Sequence, residues 1–208
     1  MQIKLNLQIF LFIIIFIFTH QIKIYSCIMI FAFIHELGHI VIGLLLKLKP
    51  KYLQLMPVGI SITFEDYGYK NLIETKKILI AIAGPITNIL LSLFFIIIKA
   101  NDLFIYSNLL IAIFNLIPIY PLDGGRILKS VFRLKYSKEK SDKLSNNVSN
   151  IIVILLTAIS SIIVLYLKNI SILLVIVYLW IITIRENKKY NIKKIMYNTL
   201  KNNKNIDI

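Results

Sequence analysis

The sequence predicts an all-α polytopic membrane protein of about six transmembrane helices, with a small membrane-associated β-hairpin after the second. Two properties of the whole chain lead to this fold class. Hydrophobic residues make up 58% of the 208 residues, and the mean hydropathy is +0.78, values typical of an integral membrane protein. The third observation is local, because the apolar residues gather into six runs separated by more polar segments.

These six apolar runs are the predicted helices. The first, fourth and sixth are shorter than the ~20 residues that a perpendicular transmembrane helix needs. Such a run is re-entrant, continues into the interface or lies in a thinned bilayer, and the sequence leaves these alternatives open. No small-residue cleavage site follows the first run, so we interpret it as a retained span and not as a secretory signal. The runs are residues 5–18, 24–46, 78–98, 103–117, 150–167 and 170–184.

The distribution of Lys and Arg predicts the orientation of the chain. Of the 24 Lys and Arg residues, all but Lys23, Lys99 and Lys168 fall on one side of the predicted spans. The positive-inside rule assigns that side, and with it both termini, to the cytoplasm. We therefore interpret the net charge of +14 as topology and attraction to anionic lipids, with no nucleic acid as a partner. Apolar residues at helical spacing in the basic tail, 185–208, predict an amphipathic helix on the inner membrane surface.

A five-residue motif, His35-Glu36-Leu37-Gly38-His39, lies inside the second apolar run. Histidines at i and i+4 of a helix share a face and can bind one Zn²⁺, while Glu36 reaches the reacting water as general base. Three ionisable groups at membrane depth are costly, which favours a function over a chance match. His39 lies close to the cytoplasmic end of its run, so we expect a site ~10 Å below that surface and a substrate that arrives from the cytoplasm.

A catalytic zinc ion usually has three protein ligands, so one ligand is missing from this motif. His20 and Asp102 belong to the outer side, and the acids between the second and third runs lie in a polar connection where solvated carboxylates are the default. Asp123 is favoured because Pro118 and Pro121 break the span before it. A broken helix at membrane depth requires a surrounding cavity, as a zinc site does. The alternative role of Asp123 is an N-cap.

Three motifs in this order resemble the site-2 proteases, a family of intramembrane zinc metalloproteases. The resemblance covers about residues 25 to 135, and it implies that His35, His39 and Asp123 bind one zinc ion per chain and that Glu36 is catalytic. The motifs are the one at 35–39, Gly84-Pro85-Ile86-Thr87-Asn88, and Pro121-Leu122-Asp123-Gly124-Gly125-Arg126. The expected organisation is a first span and outer loop (1–23), a catalytic core (24–135), two C-terminal spans (136–184) and a basic cytoplasmic tail (185–208).

Within this family the chain is most similar to the stage IV sporulation protein FB group, which has six spans and cytoplasmic termini. Members of that group release a sporulation sigma factor from its membrane-associated pro-form. The resemblance implies a bacterial cell membrane, in a sporulating cell the mother-cell membrane around the forespore, and membrane proteins that inhibit or regulate the enzyme. Typical members end in a nucleotide-binding CBS domain, whereas here residues 185–208 follow the sixth run, which leaves the control of activity and the exact substrate open.

A helical substrate hides its peptide bonds in internal hydrogen bonds, so it must be held locally extended before hydrolysis. Residues 58–64 alternate between large apolar and small side chains, as a half-buried strand does. We hypothesise that this strand, which contains Ile60 and Ile62, pairs with residues 52–56 and offers an edge to which substrate adds. Further candidates for substrate contact are Asn88, Asn115, Pro118 and Pro121, with capping or packing roles as the alternatives for the two asparagines.

The sequence therefore predicts a zinc metalloendopeptidase that hydrolyses a peptide bond of a membrane-associated protein near the cytoplasmic face, in regulated intramembrane proteolysis. A sporulation pro-sigma factor is the first candidate substrate, and an anti-sigma factor or a signal-peptide remnant is the alternative. A function of another class is an ion channel or carrier, although the chain lacks the internal repeat that such proteins often have. A catalytically idle binding protein is the last alternative, and it would have no need for Glu36.

Overall fold

The structure is a computed structural model. It describes residues 2–5, 10, 14, 17–18, 20–56, 59–167 and 171–204, so most of the first apolar run lies outside the described residues. The chain divides into two compact units, Met1–Ile117 and Pro118–Ile208. The described elements of the first unit are β1 (Gln2–Leu5), α1 (Ile22–Leu45), β2 (Pro50–Met56), β3 (Gly59–Phe64), α2 (Asp66–Lys70), α3 (Glu74–Ile97) and α4 (Asp102–Leu116).

The helices α1, α3 and α4 form the framework of the first unit, and each of them packs against the other two. Phe31 of α1 lies at their centre. Its ring meets those of Phe95 and Phe104 edge to face, at centroid distances of 5.6 and 5.8 Å. The aromatic contacts join a buried cluster that includes Cys27 and Ile111, so the three helices share one apolar core.

Three described stretches of helix are long and apolar enough to cross a membrane: Ile22–Leu45, Glu74–Ile97 and Lys138–Ile163. They include most of the predicted second, third and fifth runs. The predicted fourth run matches α4, which is apolar but has 15 residues. The predicted all-α class is confirmed, with membrane-length helices in both units.

The predicted β-hairpin is confirmed and is part of a larger sheet. β2 and β3 are antiparallel, with Leu53 opposite Ile62 and Leu55 opposite Ile60. β1 adds to the other edge of β2 in parallel, giving the order β1-β2-β3. β1 is not predictable from local sequence, because its partner strand lies about fifty residues away along the chain. Among the strands that the structure describes, β3 has a neighbour on one side alone.

The end of β3 is fastened to α1. Phe64 is buried in a cluster with Leu48 and Ile80. A Cβ atom on Gly43 would lie 2.3 Å from the Phe64 ring, so a glycine is needed for this approach. Since Gly43 is four residues beyond His39, the sheet is anchored one helical turn from the histidine motif.

The second unit contains three described helices, α5 (Asp123–Lys135), α6 (Lys138–Leu167) and α7 (Ser171–Lys204), and α6 packs against the other two. α6 begins well before the predicted run at 150–167. Its polar first turns are held by Asp142, whose carboxylate lies 2.9 Å from Arg133 and 3.0 Å from Lys129 of α5. Ion pairs between helices thus support a segment that hydropathy alone does not identify as helix.

The basic tail is helical, as predicted, but it continues α7 without a break. The sequence from Ser171 to Lys204 contains no glycine or proline that would end the helix. Ile192, Ile195 and Met196 lie at helical spacing and are 58 to 63% exposed. The tail therefore has an apolar face open to its surroundings, and its location on the membrane surface stays a prediction.

Candidate metal centre

The two histidines of the motif are buried on one face of α1. His35 and His39 are 2% and 1% exposed, and their ring centroids lie 4.9 Å apart. Glu36 is also buried, one residue after His35 and three before His39. The i and i+4 spacing on a regular helix thus brings both imidazoles together, as predicted from the motif.

Each histidine is held through its Nδ1 atom by an oxygen of α3. His35 Nδ1 lies 2.5 Å from the Asn88 side-chain oxygen, and His39 Nδ1 lies 2.7 Å from the backbone carbonyl oxygen of Ile80. An amide or carbonyl oxygen accepts but cannot donate, so each Nδ1 carries the proton and donates it. In a neutral imidazole with its proton on Nδ1, Nε2 carries the lone pair, which is the form that binds a metal ion.

Both Nε2 atoms face the same glycine of α3. A Cβ atom on Gly84 would lie 2.4 Å from His39 Nε2 and 2.5 Å from His35 Nε2. The missing side chain therefore leaves space beside both lone pairs. Two imidazoles whose Nδ1 atoms donate to oxygens and whose Nε2 atoms face one glycine fit a zinc ion well.

α1 and α3 also approach each other closely at Gly38, which lies between Glu36 and His39 in the motif. A Cβ atom on Gly38 would lie 2.3 Å from Thr87 Oγ1 and 3.0 Å from the Ala83 carbonyl oxygen. Small residues allow such an approach between helices in a membrane. Gly38 and Gly84 thus set the spacing at which α3 reaches the two imidazoles.

A chain of buried amides supports His35 from behind. The Asn88 Nδ2 atom donates to the Asn108 side-chain oxygen at 2.8 Å and to the Phe31 carbonyl oxygen at 3.5 Å. Asn108 in turn donates to the Phe104 carbonyl oxygen at 2.8 Å. Asn88 and Asn108 are both 0% exposed. This network places the Asn88 oxygen toward His35, so the side chain has a positioning role in addition to the substrate contact predicted for it.

Asp123 lies in the second unit, as the first residue of α5, and is 4% exposed. The N-cap position belongs to Leu122 and no side chain caps the helix there, so the N-cap alternative for Asp123 is wrong. Arg126 lies one turn later, with its Nη1 atom 3.7 Å from the carboxylate. The carboxylate therefore lies at the N-terminal end of α5, where the helix dipole is positive.

The loop before Asp123 folds back against α5 and α6. A Cβ atom on Gly125 would lie 2.3 Å from the Tyr120 nitrogen and 2.6 Å from the Ile119 carbonyl oxygen, so this turn requires glycine. Ile119 is 0% exposed, and the Tyr120 N–H donates to Ser149 Oγ of α6 at 3.2 Å. The loop interrupted by prolines is thus a fixed part of the second unit.

Several known proteins are similar to this chain. The peptidase family M50 profile matches residues 97–159, which include Asp123. Stage IV sporulation protein FB of Bacillus subtilis is 31% identical over 157 residues, which cover 71% of this chain and 54% of that protein. A zinc metalloprotease of Methanocaldococcus jannaschii is 27% identical over 176 residues, which cover 79% of this chain and 49% of that protein. This chain contains a peptidase family M50 domain.

The M50 chain also shares its fold with a solved structure, the Site-2 Protease from Methanocaldococcus jannaschii. The TM-score is 0.69 at 23% identity, with 88% of this chain and 89% of the other covered. The resemblance inferred from the three motifs is therefore confirmed. The chain spans about half the length of the two curated relatives named above.

The other predicted site residues of the M50 chain have the following places. Asn115 is half-buried near the end of α4 and donates to the Ile111 carbonyl oxygen at 3.0 Å, a bond within its own helix. Pro118 and Pro121 are half-buried in the connection between α4 and α5. Ile60 and Ile62 belong to β3, and their backbones pair with β2. A role for these residues in substrate binding stays a prediction.

Two contributors to the site were missed by sequence reasoning. Asn108 could have been noticed as an amide inside the predominantly apolar run at 103–117. The Ile80 contact comes from the backbone, so no side-chain pattern identifies it. In both cases the partner is fixed only by how α3 packs against its neighbours.

Proposed function

We propose that the M50 chain is an intramembrane zinc metalloendopeptidase in which His35, His39 and Asp123 bind one zinc ion and Glu36 is the catalytic base. The observation that carries the proposal is that both Nδ1 atoms donate to oxygens of α3 while both Nε2 atoms face Gly84. When bound, zinc supplies a Lewis acid that activates water and polarises a peptide carbonyl group.

The side chains of the chain have distinct tasks in this reaction. Glu36 takes a proton from the attacking water and returns it to the leaving amine, as a general base and then a general acid. Asn88 and the Ile80 carbonyl oxygen keep the two imidazoles in one tautomer and orientation. Asp123 provides a negative charge to the site from the first turn of α5.

Removal of the Asp123 carboxylate should weaken zinc binding. We expect Asp123→Ala to lose at least about 100-fold in zinc affinity, because even partners outside the ligand set contribute 10 to 100-fold. The measurement is zinc per chain after dialysis of detergent-purified protein against graded concentrations of a chelator. Asp102→Ala is the matched control, since Asp102 also begins a helix but is exposed. Equal zinc affinity in Asp123→Ala and the native chain would reject Asp123 as a ligand.

We propose that the substrate is a membrane-associated protein cleaved near the cytoplasmic face of a bacterial cell membrane, with a sporulation pro-sigma factor as the first candidate. Similarity to Stage IV sporulation protein FB supports this choice, and the bias of basic residues supports the orientation. The test is co-expression with a membrane-tethered pro-sigma factor or, separately, a tethered anti-sigma factor. If the anti-sigma factor is released and the pro-sigma factor is not, the substrate belongs to the alternative class.

We propose further that an extended substrate adds to β3. β3 pairs with β2 on one edge, within the described strands, and its end is anchored at Gly43, one turn from His39. An added strand would therefore run close to the histidines. Backbone hydrogen bonds hold such a strand whatever its side chains are.

Proline in β3 should impair cleavage without affecting the metal. Ile60→Pro and Ile62→Pro each remove one N–H and disturb the strand to which substrate would add, so we expect cleavage to fall at least about fivefold, from ~1 kcal/mol for one lost hydrogen bond. The controls are Ile60→Ala and Ile62→Ala, which keep the N–H groups, and zinc content is measured in all four variants. Unchanged cleavage in both proline variants would reject the edge-strand hypothesis.

A further inference from the structure

The second unit contains a polar cavity of about 140 Å³ between α5, α6 and α7. A cavity of roughly this size can hold a benzene molecule, so a phosphate group fits. Three lysines, Lys129, Lys189 and Lys193, line it together with buried hydroxyl residues of α6 and α7. None of these residues belongs to the proposed zinc site.

The cations around the cavity outnumber the acids. Asp142 is the buried centre of the cluster, with Arg133, Lys129 and Lys193 nitrogens at 2.9, 3.0 and 3.9 Å from its oxygens. One carboxylate therefore faces three positive charges, of which Lys129 and Lys193 line the cavity. Lys189, a fourth cation, pairs with Glu186 on its own helix, so this pair adds no net charge. A surplus of positive charge beside a cavity favours an anion.

Neutral groups in the cavity suit the same kind of ligand. Ser145, Ser149 and Thr183 are 2 to 3% exposed and line its wall. The Ser149 and Thr183 hydroxyls donate to the backbone carbonyl oxygens of Ser145 and Leu179, which leaves the Ser145 hydroxyl as the donor for a ligand. The Tyr120 ring also lines it, and the Lys129 ammonium lies 4.6 Å from the centre of that ring. Lysine ammonium groups and a serine hydroxyl are donors from which phosphate oxygens accept. The cavity lies near the polar start of α6, close to where its membrane-length stretch begins.

We propose that this cavity binds a phosphate group and that its occupant stabilises the loop that precedes Asp123. Tyr120 connects the two, because it lies three residues before Asp123 and also lines the cavity. Its N–H donates to Ser149 Oγ, which belongs to another residue of the cavity wall. The phosphate comes from an anionic phospholipid headgroup or from free phosphate in the cytoplasm. The two sources present the same oxygens to the same lysines.

The first experiment measures the unfolding temperature of the Glu36→Gln chain, in which cleavage is expected to be strongly reduced. In detergent it is titrated with sodium phosphate at constant ionic strength, and in parallel it is placed in neutral glycolipid bilayers with and without phosphatidylglycerol. Stabilisation by inorganic phosphate identifies free phosphate as a ligand. Stabilisation by phosphatidylglycerol alone identifies the lipid headgroup. An unchanged unfolding temperature under both conditions would overturn the proposal.

Variants distinguish this cavity from general surface charge. Lys129→Gln and Lys193→Gln should each weaken the effect on the order of tenfold, as expected for loss of one charged hydrogen bond. Lys193 is the safer variant for folding, since it is exposed and its nitrogen is the most distant of the three from Asp142. The matched control is Lys143→Gln, an exposed lysine of α6 that does not line the cavity. Equal losses in Lys193→Gln and Lys143→Gln would reject a specific site.

Hydrogen exchange tests the second part of the proposal. Exchange at the Tyr120 amide should slow when the ligand that stabilises the protein is present, because the occupant packs against the residue that donates to Ser149. Exchange in β3, which lies in the other unit, serves as the reference. A stabilising ligand that leaves Tyr120 exchange unchanged would show that the cavity does not act on the loop.

Discussion

Replacement of Glu36 by glutamine is expected to lower the cleavage of a co-expressed, membrane-tethered pro-sigma factor about 10³-fold, while zinc stays bound. Glutamine has nearly the shape of glutamate but cannot take up and return a proton at neutral pH. The imidazoles keep their contacts with Asn88 and Ile80, since Glu36 takes no part in those hydrogen bonds. The released fragment and the zinc per chain are measured on the same preparations.

Glu65→Gln is the matched control for this experiment. Glu65 is an exposed carboxylate just before α2 whose side chain does not cap that helix, so its variant should cleave at the native rate. Cleavage that persists in Glu36→Gln would remove the protease assignment. Loss of zinc in Glu36→Gln would show instead that Glu36 takes part in binding the metal.

Gly84→Ala is expected to weaken zinc binding by about 10 to 100-fold, the range seen when groups that orient metal ligands are changed. The new methyl group would lie 2.4 Å from His39 Nε2 and 2.5 Å from His35 Nε2. Neither ring can retreat freely, because both Nδ1 atoms are held by oxygens of α3. The methyl group therefore fills the space beside the lone pairs or displaces the rings.

The control for Gly84→Ala is Gly68→Ala. A Cβ atom at Gly68 meets Leu48 Cδ2 alone, at 3.2 Å, and that flexible side-chain end can move. Zinc affinity is compared by chelator competition, and the thermal unfolding of the metal-free proteins checks that both variants fold. Native zinc affinity in a folded Gly84→Ala protein would contradict the assignment of the Nε2 atoms as ligands.

The parts of the fold that were predictable from the sequence depend on local periodicity. His35 and His39 share a face because a helix has 3.6 residues per turn, and the alternation at 58–64 predicts β3 whatever the rest of the chain does. Both features can be seen within a window of a few residues. The prolines before Asp123 and the family resemblance favour it as the third ligand, and that assignment stays a prediction.

The parts that were not predictable depend on distant partners. β1 exists because Gln2–Leu5 pairs with β2, and no local pattern reports that pairing. The early start of α6 depends on ion pairs between Asp142 and α5. Asn88 could be assigned to His35 only once α1 and α3 were placed side by side, since 53 residues separate the two.

The buried side-chain amides behind His35 affect how the site responds to the loss of water. Soluble enzymes can rely on solvent to complete the hydrogen bonds of an imidazole, but lipid cannot do so. Here the Asn88 and Ile80 oxygens accept the two Nδ1 protons, and Asn108 in turn accepts from Asn88, and none of these groups ionises. The two rings therefore keep one tautomer whether the surrounding space is hydrated or sealed by an incoming polypeptide.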